Sequence, residues 1–171
     1  MKDILAPINP IEYQDFNPAT VALQGSNLIE ASAGTGKTYS IALLVLRMVI
    51  EGGIPLREIL MVTFTRAAVA ELATRIRFFI NQSGRCVEGE TIKDPGITAI
   101  VEKGIALHGR EKLEQVLRDT RLLIDEMAVL TIHSFCQLTL REFAFETGQP
   151  FVAETISLDS LLEEALNNFW R

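Results

Sequence analysis

Cysteine, histidine and tryptophan are scarce in this sequence of 171 residues, which has two, two and one of them. Two cysteines cannot form a disulfide framework, and neither lies in a pattern typical of a nucleophile or a zinc ligand. We interpret Cys136, which has apolar neighbours in a predicted helix, as a core residue, and Cys86, in a polar stretch, as an exposed thiol. Low cysteine usage is typical of a reducing compartment.

Basic charge and long apolar runs are also lacking. The 16 lysine and arginine residues are outnumbered by 22 aspartate and glutamate residues, which gives a net charge of -6. This balance argues against a broad basic face, so any contact with nucleic acid must rely on a local groove and base stacking. Since neither a signal-peptide pattern nor an apolar run of membrane length is visible, we expect a cytoplasmic protein with no membrane contact. The remaining composition, 48% hydrophobic and 22% charged, is that of one globular domain.

A glycine-rich stretch at residues 31–38 is the main functional feature. Ahead of it the apolar pair Leu28-Ile29 predicts a buried strand over residues 27–30, and behind it a helix is predicted by the spacing of Ile41, Leu44, Val45, Met48 and Val49. A strand that turns through glycines into a helix offers backbone N–H groups and the positive end of a helix dipole to a phosphate. We therefore predict a nucleotide site formed by Ala31, Ser32, Ala33, Gly34, Thr35, Gly36, Lys37 and Thr38.

Individual side chains around this stretch have distinct predicted roles. Lys37 adds a positive charge at the β- and γ-phosphates and the Thr38 hydroxyl is a ligand for Mg²⁺, so we predict that these two are the catalytic residues. The first position is Ala31, where the general P-loop pattern has glycine. Gln24 lies shortly before the strand, where its amide offers one donor and one acceptor to an adenine edge; a solvent-facing loop residue is the alternative.

A second apolar run, Ile59 to Val62, predicts another buried strand, which delivers Thr63, Phe64, Thr65 and Arg66 to its carboxyl end. The helix predicted after it has one apolar face, made by Val69, Leu72, Ala73, Ile76 and Ile80. Alternating strands and helices indicate an α/β protein with a parallel, doubly wound sheet, which binds ligands at the carboxyl ends of its strands. There Phe64 is placed to stack on a DNA base while Thr65 and Arg66 hold phosphates; alternatively, Phe64 is a core residue and Thr65 a helix N-cap.

The middle of the chain predicts a helical insertion. Residues 82–96 are polar and contain Gly84, Gly89 and Gly96, so they predict a solvated loop, and two short helices follow. Farther on, an apolar run that ends in Asp125-Glu126 is like the strand that ligates Mg²⁺ in P-loop ATPases, although a helix fits the same residues.

Thr131 and His133 precede another predicted helix. Ser134 with Gln137 matches a capping box, which places Thr131 and His133 just outside a helix N-terminus, a position suited to contacts with phosphate or sugar. A local hydrogen-bonding role is the alternative for His133.

The last predicted helix starts at a second capping box, Ser160 with Glu163, and reaches Arg171 with no C-cap signal. We therefore expect this chain to be the N-terminal piece of a longer protein.

Together these motifs resemble the superfamily 1, UvrD-like DNA helicases, and within them the helicase–nucleases. The loop that begins at Ala31 is similar to the family's phosphate loop, and three further motifs correspond to its adenine motif and its first two single-strand DNA motifs, namely Leu23-Gln24-Gly25, Val62 to Ile76 and Thr131 to Cys136. More of the likeness lies in Leu28 to Gly34, Asp125 to His133 and Phe143 to Gly148. The helicase–nuclease subfamily that the motifs resemble most usually has glycine at the position of Ser134. In this respect the chain resembles the AddA-type helicase–nucleases.

The resemblance implies a P-loop NTPase (RecA-like) fold, a parallel sheet flanked by helices with a helical insertion, here as a partial domain. It implies four segments: an extended lead-in with the adenine-reading motif (1–26), the P-loop α/β part of motor domain 1A (27–82), a loop and helical insertion that starts the 1B-like region (83–130), and helices that return to the motor domain (131–171).

The resemblance also implies an enzyme that uses ATP and Mg²⁺ to move 3′ to 5′ on DNA and that has exonuclease activity in double-strand break repair and recombination. Its substrates would be single-stranded DNA and duplex ends, and its partners would be the gamma and alpha subunits of the same complex. Its DNA contacts would be Thr63, Phe64, Thr65, Arg66, Thr131 and His133. In the family the Mg²⁺-binding Asp-Glu strand follows the Thr-x-His motif, so Asp125 and Glu126 are interpreted as structural, and we expect negligible ATP hydrolysis by this chain alone. The residues leave open an AddA-type or UvrD-type helicase, a stand-alone nucleotide-binding switch or adaptor, and a P-loop kinase.

Overall fold

The computed structural model describes residues 15–32, 34–148 and 158–170, so predictions that concern Ala33, Arg171 or the first 14 residues of the lead-in lie outside the described residues. Most of the described chain is helical. Its helices are α1 (Lys37–Ile50), α2 (Arg66–Val87), α3 (Pro95–His108), α4 (Arg110–Leu122), α5 (Ile132–Glu142), α6 (Ala144–Thr147) and α7 (Leu158–Phe169).

Two parallel strands, β1 (Leu60–Thr63) and β2 (Ala128–Thr131), form the sheet of the described residues. Their register places Met61 beside Val129 and Thr63 beside Thr131. A parallel pair requires a long crossover connection, and α2, α3 and α4 provide it. The prediction of a strand after α1 and of parallel pairing is confirmed, whereas β2 is absent from the prediction. Asp125 and Glu126 lie in a single 3-10 turn ahead of β2, not in a strand.

The hydrophobic core lies between α1, α2, α3 and α4. Each of these helices contributes side chains that are almost fully buried, among them Leu46, Ile50, Ile76, Ile80, Ile97, Ile100, Leu113 and Leu117. Burial of one such side chain contributes roughly 1.5–3 kcal/mol relative to exposure. The two helices predicted as an insertion are confirmed as helices, and they share one core with the helix that follows the glycine-rich loop.

The strand predicted over residues 27–30 does not form. These residues have no regular secondary structure, and Leu28 is 82% exposed. A strand is stabilised by backbone hydrogen bonds to a neighbour, and within the described residues the sheet consists of β1 and β2. Two apolar residues do not hold an extended segment in place without such a partner.

Helix α2 is longer than predicted, because the supposed loop at residues 82–96 is helical as far as Val87. Gly84, which suggests a helix break in the sequence, is buried where the guanidinium of Arg121 in α4 crosses it. A Cβ atom at this glycine would lie 1.8 Å from Arg121 Nη2. That group donates a hydrogen bond to the Asn81 carbonyl at 2.9 Å, so the glycine allows α4 to bond directly to the backbone of α2.

Both cysteine predictions are wrong. Cys86 lies on α2 and packs against the core, while Cys136 is exposed on α5. Burial, together with the Glu102 carboxylate, raises the pKa of the Cys86 thiol and outweighs the opposing effect of Arg110. The polar neighbours of Cys86 in the sequence mislead because α2 continues through them and turns this side chain inward.

Two helices begin earlier than their predicted capping boxes. Thr131 is the N-cap of α5, since its Oγ1 accepts a hydrogen bond from the Ser134 N–H at 3.1 Å, and His133 therefore lies within the first helical turn. Thr131 also ends β2, so its backbone is already extended, as an N-cap requires. Helix α7 includes Leu158, so Ser160 is inside it and is not its N-cap.

Candidate functional site

The glycine-rich loop ends in a helix N-terminus that is free of acidic side chains. Gly34 and Gly36 have φ angles of 77° and 81°, in the left-handed region that favours glycine, and Gly36 is the N-cap of α1. The first turn of α1 contains Lys37 and Thr38 and no acidic residue. Its unpaired N–H groups and dipole are therefore available to an anion.

Lys37 folds back over the loop that precedes it. Its Nζ donates hydrogen bonds to the carbonyl oxygens of Ala31 at 2.8 Å and Ser32 at 2.7 Å. The Thr35 hydroxyl donates to the same Ser32 carbonyl at 2.8 Å. These bonds draw the loop into a closed turn around the ammonium group and bring Ala31, Ser32, Thr35 and Lys37 together.

A cavity of about 530 Å³ adjoins this turn. Its polar wall includes Ser32, Thr35 and Lys37, and its apolar wall includes Phe16 and Leu44. The volume is within the range of small-molecule sites, roughly 300–1,000 Å³. The cavity also explains a departure from the predicted helix pattern: Ile41 and Leu44 face the cavity, while the buried side of α1 carries Leu43, Leu46 and Ile50.

The predicted adenine-reading residue, Gln24, is exposed and lies next to Gly25, whose φ is 78°. It is not among the residues that line the cavity. The segment before it forms a turn in which the Asn17 carbonyl accepts hydrogen bonds from Thr20 N–H at 3.1 Å and Val21 N–H at 3.0 Å.

Arg47 joins this turn to α1, a role that sequence reasoning missed. Its Nη1 donates hydrogen bonds to the carbonyl oxygens of Pro18 at 2.8 Å and Val21 at 2.9 Å, and its Nε donates to Glu51 Oε1 at 2.8 Å. The side chain is only 4% exposed. The one available signal was an Arg-to-Glu spacing of four residues on a helix, which is more often a surface ion pair.

The carboxyl end of the sheet brings the two predicted DNA motifs together. Thr63 and Thr131 are paired in register; α5 starts directly after β2, and α2 starts after Phe64 and Thr65, which follow β1. Thr65 caps α2 by accepting from the Ala68 N–H at 3.1 Å, and Thr131 caps α5 in the same way. The alternative reading of Thr65 as an N-cap is thus confirmed, and two helix N-termini lie at one edge.

Phe64 projects from this edge and is 87% exposed, so its interpretation as a core residue is wrong. Arg66 and His133, in the first turns of α2 and α5, are also exposed. An exposed aromatic ring beside two helix N-termini and an arginine offers a stacking surface together with donors for phosphate.

Asp125 has a structural partner. Its Oδ1 accepts a hydrogen bond from Arg77 Nη2 at 2.8 Å, which connects the 3-10 turn to α2. Among the described residues no group of three or more His, Cys, Asp or Glu side chains is arranged to hold a metal ion. The geometry agrees with the structural interpretation of Asp125.

A glycine loop around a lysine at a helix start, together with paired strand ends that carry hydroxyls and an exposed aromatic ring, agrees with the helicase class that the sequence motifs resemble. The chain belongs to the UvrD/REP helicase N-terminal domain family, whose model matches residues 12–169. In the described part of the chain, no helix is both long and apolar enough to cross a membrane.

Within this family the chain is similar to the RecBCD enzyme subunit RecB. It is 40% identical to the Escherichia coli K12 protein over 167 residues, 92% of this chain and 14% of that protein. Identity is 36% to the Haemophilus influenzae protein (91% of this chain, 14% of that protein) and 32% to the Mycolicibacterium smegmatis protein (85% and 13%). The resemblance of the motifs to RecB, the beta subunit of exodeoxyribonuclease V, is confirmed. The chain spans about one seventh of the length of these relatives.

Proposed function

We propose that this chain is the ATP-binding part of an ATP-dependent 3′–5′ DNA helicase and exonuclease subunit that acts in double-strand break repair and recombination. The observation that carries the proposal is the position of Lys37, at the start of α1 and in the wall of a 530 Å³ cavity. Family membership and similarity to RecB agree with it. A P-loop NTPase fold of the complete motor domain belongs to the same proposal.

In this proposal the loop holds the phosphates of ATP. The residues fit such a group, because the N–H groups after Gly34 and Gly36 and the Lys37 ammonium supply donors and positive charge. Thr38 is assigned to Mg²⁺, which when bound neutralises charge on the β- and γ-phosphates. Lys37 must exchange its bonds with Ala31 and Ser32 for bonds to phosphate, so binding remodels the loop.

DNA is assigned to the carboxyl edge of the sheet. Phe64 stacks on a base, and Thr63, Thr65, Arg66, Thr131 and His133 contact backbone phosphate or sugar. The hydroxyls of Thr65 and Thr131 also cap helices, so these two residues additionally keep the two N-termini in place. The whole protein would act on single-stranded DNA and duplex ends in a cytoplasmic complex with gamma and alpha subunits of exodeoxyribonuclease V.

Binding of fluorescent mant-ATP with Mg²⁺ to wild type and to Lys37→Ala tests the nucleotide site. Loss of a charged donor to phosphate is expected to weaken binding roughly 10- to 100-fold. Lys112→Ala, which removes an exposed lysine from α4, is the matched control and should bind like wild type. Equal binding by Lys37→Ala would refute the assignment.

A further inference from the structure

Arg47 is a buried charge whose position is explained by the segment that it contacts. One nitrogen, Nη1, donates to two carbonyl oxygens, those of Pro18 and Val21, at 2.8 and 2.9 Å. Both belong to the turn that comes just before Gln24. Because a guanidinium has five donors in a rigid plane, it can hold these carbonyls on one side and a carboxylate on the other.

Glu51 fixes the other side of the guanidinium. Its two carboxylate oxygens accept from Arg47 Nε at 2.8 Å and from Nη2 at 3.2 Å, and Oε2 also accepts from Lys103 of α3 at 2.7 Å. Burial alone would raise the pKa of Glu51, but the hydrogen bonds and charges of Arg47 and Lys103 outweigh it and lower that pKa. The carboxylate is ionised at neutral pH, and Arg47 is therefore held in one orientation.

The turn itself is short and mostly local in its bonding. Thr20 and Val21 donate to the Asn17 carbonyl, and the Ala19 N–H donates to Asn17 Oδ1 at 2.9 Å. Such a turn has no fixed relation to α1 unless something connects the two. Arg47 makes that connection, and it lies on the same helix that begins with Lys37 and Thr38.

We infer that Arg47 is a positioning residue that holds Gln24 in place for the base of the nucleotide whose phosphates bind at the other end of α1. The inference rests on the proposed ATP site and adds to it the origin of base selectivity. An amide presents one donor and one acceptor to the adenine edge, and guanine has a carbonyl where adenine has an amine. Selectivity then depends on where the amide is held, whereas phosphate binding does not.

The test compares binding of mant-ATP and mant-GTP, with tripolyphosphate as competitor, by wild type, Arg47→Lys and Asn17→Ala. Arg47→Lys keeps the charge beside Glu51 but lacks the planar fork, and Asn17→Ala loosens the turn without touching the buried ion pair. The preference for ATP over GTP is expected to fall roughly three- to tenfold in both, as it should in Gln24→Ala. The affinity of every variant for tripolyphosphate should stay within about twofold of the wild-type affinity. General destabilisation of the protein would lower that affinity as well.

Hydrogen exchange of the nucleotide-free chain provides a second readout. The amides of Thr20 and Val21 should exchange faster in Arg47→Lys, while those of α2 stay unchanged. Arg118→Lys, at the exposed pair with Glu114, is the matched control and should alter neither selectivity nor exchange. If Arg47→Lys fails to fold, Asn17→Ala decides the question.

The outcomes separate the two proposals. An unaltered ATP preference in Arg47→Lys and Asn17→Ala, with ATP still bound, overturns the role of Arg47 alone. A wild-type chain that binds neither ATP nor tripolyphosphate removes the proposed site, and the inference with it.

Discussion

At the scale of single residues, Tyr39 shows how one hydroxyl can connect two helices. Its Oη donates to Asp94 Oδ1 at 2.8 Å, and that oxygen also accepts from the Gly96 and Ile97 N–H groups at the start of α3. The ring packs edge-on against Phe79, with centroids 5.4 Å apart. Burial, followed by the hydrogen bond and the charge of Asp94, raises the pKa of Tyr39 to about 12.

This raised pKa predicts a loss of stability in alkali. The folded state prefers the neutral phenol, so the Tyr39 contribution is complete below pH 10, the ordinary pKa, and is lost as the pH rises toward 12. A shift of two units corresponds to at most about 2–3 kcal/mol. Urea unfolding of wild type and Tyr39→Phe between pH 7 and 12 measures it. The free energy of unfolding of Tyr39→Phe should be about 1 kcal/mol lower than that of wild type at pH 7. Above pH 10 it should fall less with pH than that of wild type. Equal pH dependence of the two proteins would contradict the prediction.

At the scale of elements, the carboxyl edge of the sheet gathers groups that are far apart in the sequence. Its geometry follows from the β1–β2 register, which sets the end of one strand beside the end of the other. Because a helix begins at or close to the end of each strand, the threonine N-caps and the exposed ring of Phe64 share one surface.

Phe64→Ala in the full-length protein is therefore expected to weaken binding of single-stranded DNA. Loss of one base stack costs about 1–3 kcal/mol, or roughly 5- to 150-fold in affinity. Phe78→Ala, which removes another exposed ring from α2, is the matched control and should leave DNA affinity unchanged. Fluorescence anisotropy at several salt concentrations measures both, since stacking depends on salt less than phosphate contacts do. Unchanged affinity of Phe64→Ala at every salt concentration would contradict the prediction.

The helices and strands also show which sequence patterns are sufficient to predict secondary structure. Long periodic segments such as α2 were predictable because their apolar spacing repeats over several turns. The four-residue β2 was not, because a short apolar run fits a strand or a helix equally well. The end of α2 was misplaced because Gly84 serves a close approach by Arg121 that no local pattern encodes.

At the scale of the whole molecule, the described residues contain only part of the groups that the proposed ATP hydrolysis requires. Lys37 and Thr38 lie at the loop, but Asp125 is paired with Arg77, and no metal-binding cluster occurs in the described residues. We expect the 171-residue chain to bind nucleotide and to hydrolyse it negligibly, with or without DNA. A coupled ATPase assay measures this, and turnover comparable to that of an intact ATPase, abolished by Lys37→Ala, would contradict it.

The geometry of the candidate site was predictable where one motif holds all its parts, as in the glycine-rich loop, where glycines, lysine and threonine are adjacent. It was not predictable where distant segments meet. Arg47 lies 29 residues from Pro18 and 26 residues from Val21 in the sequence. It binds their backbone carbonyl oxygens, which every residue has, so no side-chain pattern marks these partners. The strand predicted from Leu28-Ile29 is wrong for a different reason. An apolar pair forms a strand only where a neighbouring strand accepts its backbone hydrogen bonds.

The difference in exposure between the two cysteines allows a fluorescent dye to be attached at one position, Cys136. Cys136 is exposed on α5, three residues after His133, whereas Cys86 is only partly exposed and its burial raises the pKa of its thiol, which disfavours the reactive thiolate. A maleimide dye added to the chain in its natural sequence would thus mark α5 selectively, beside the proposed DNA edge. Its fluorescence would follow the arrival of a DNA strand in real time without any engineered cysteine.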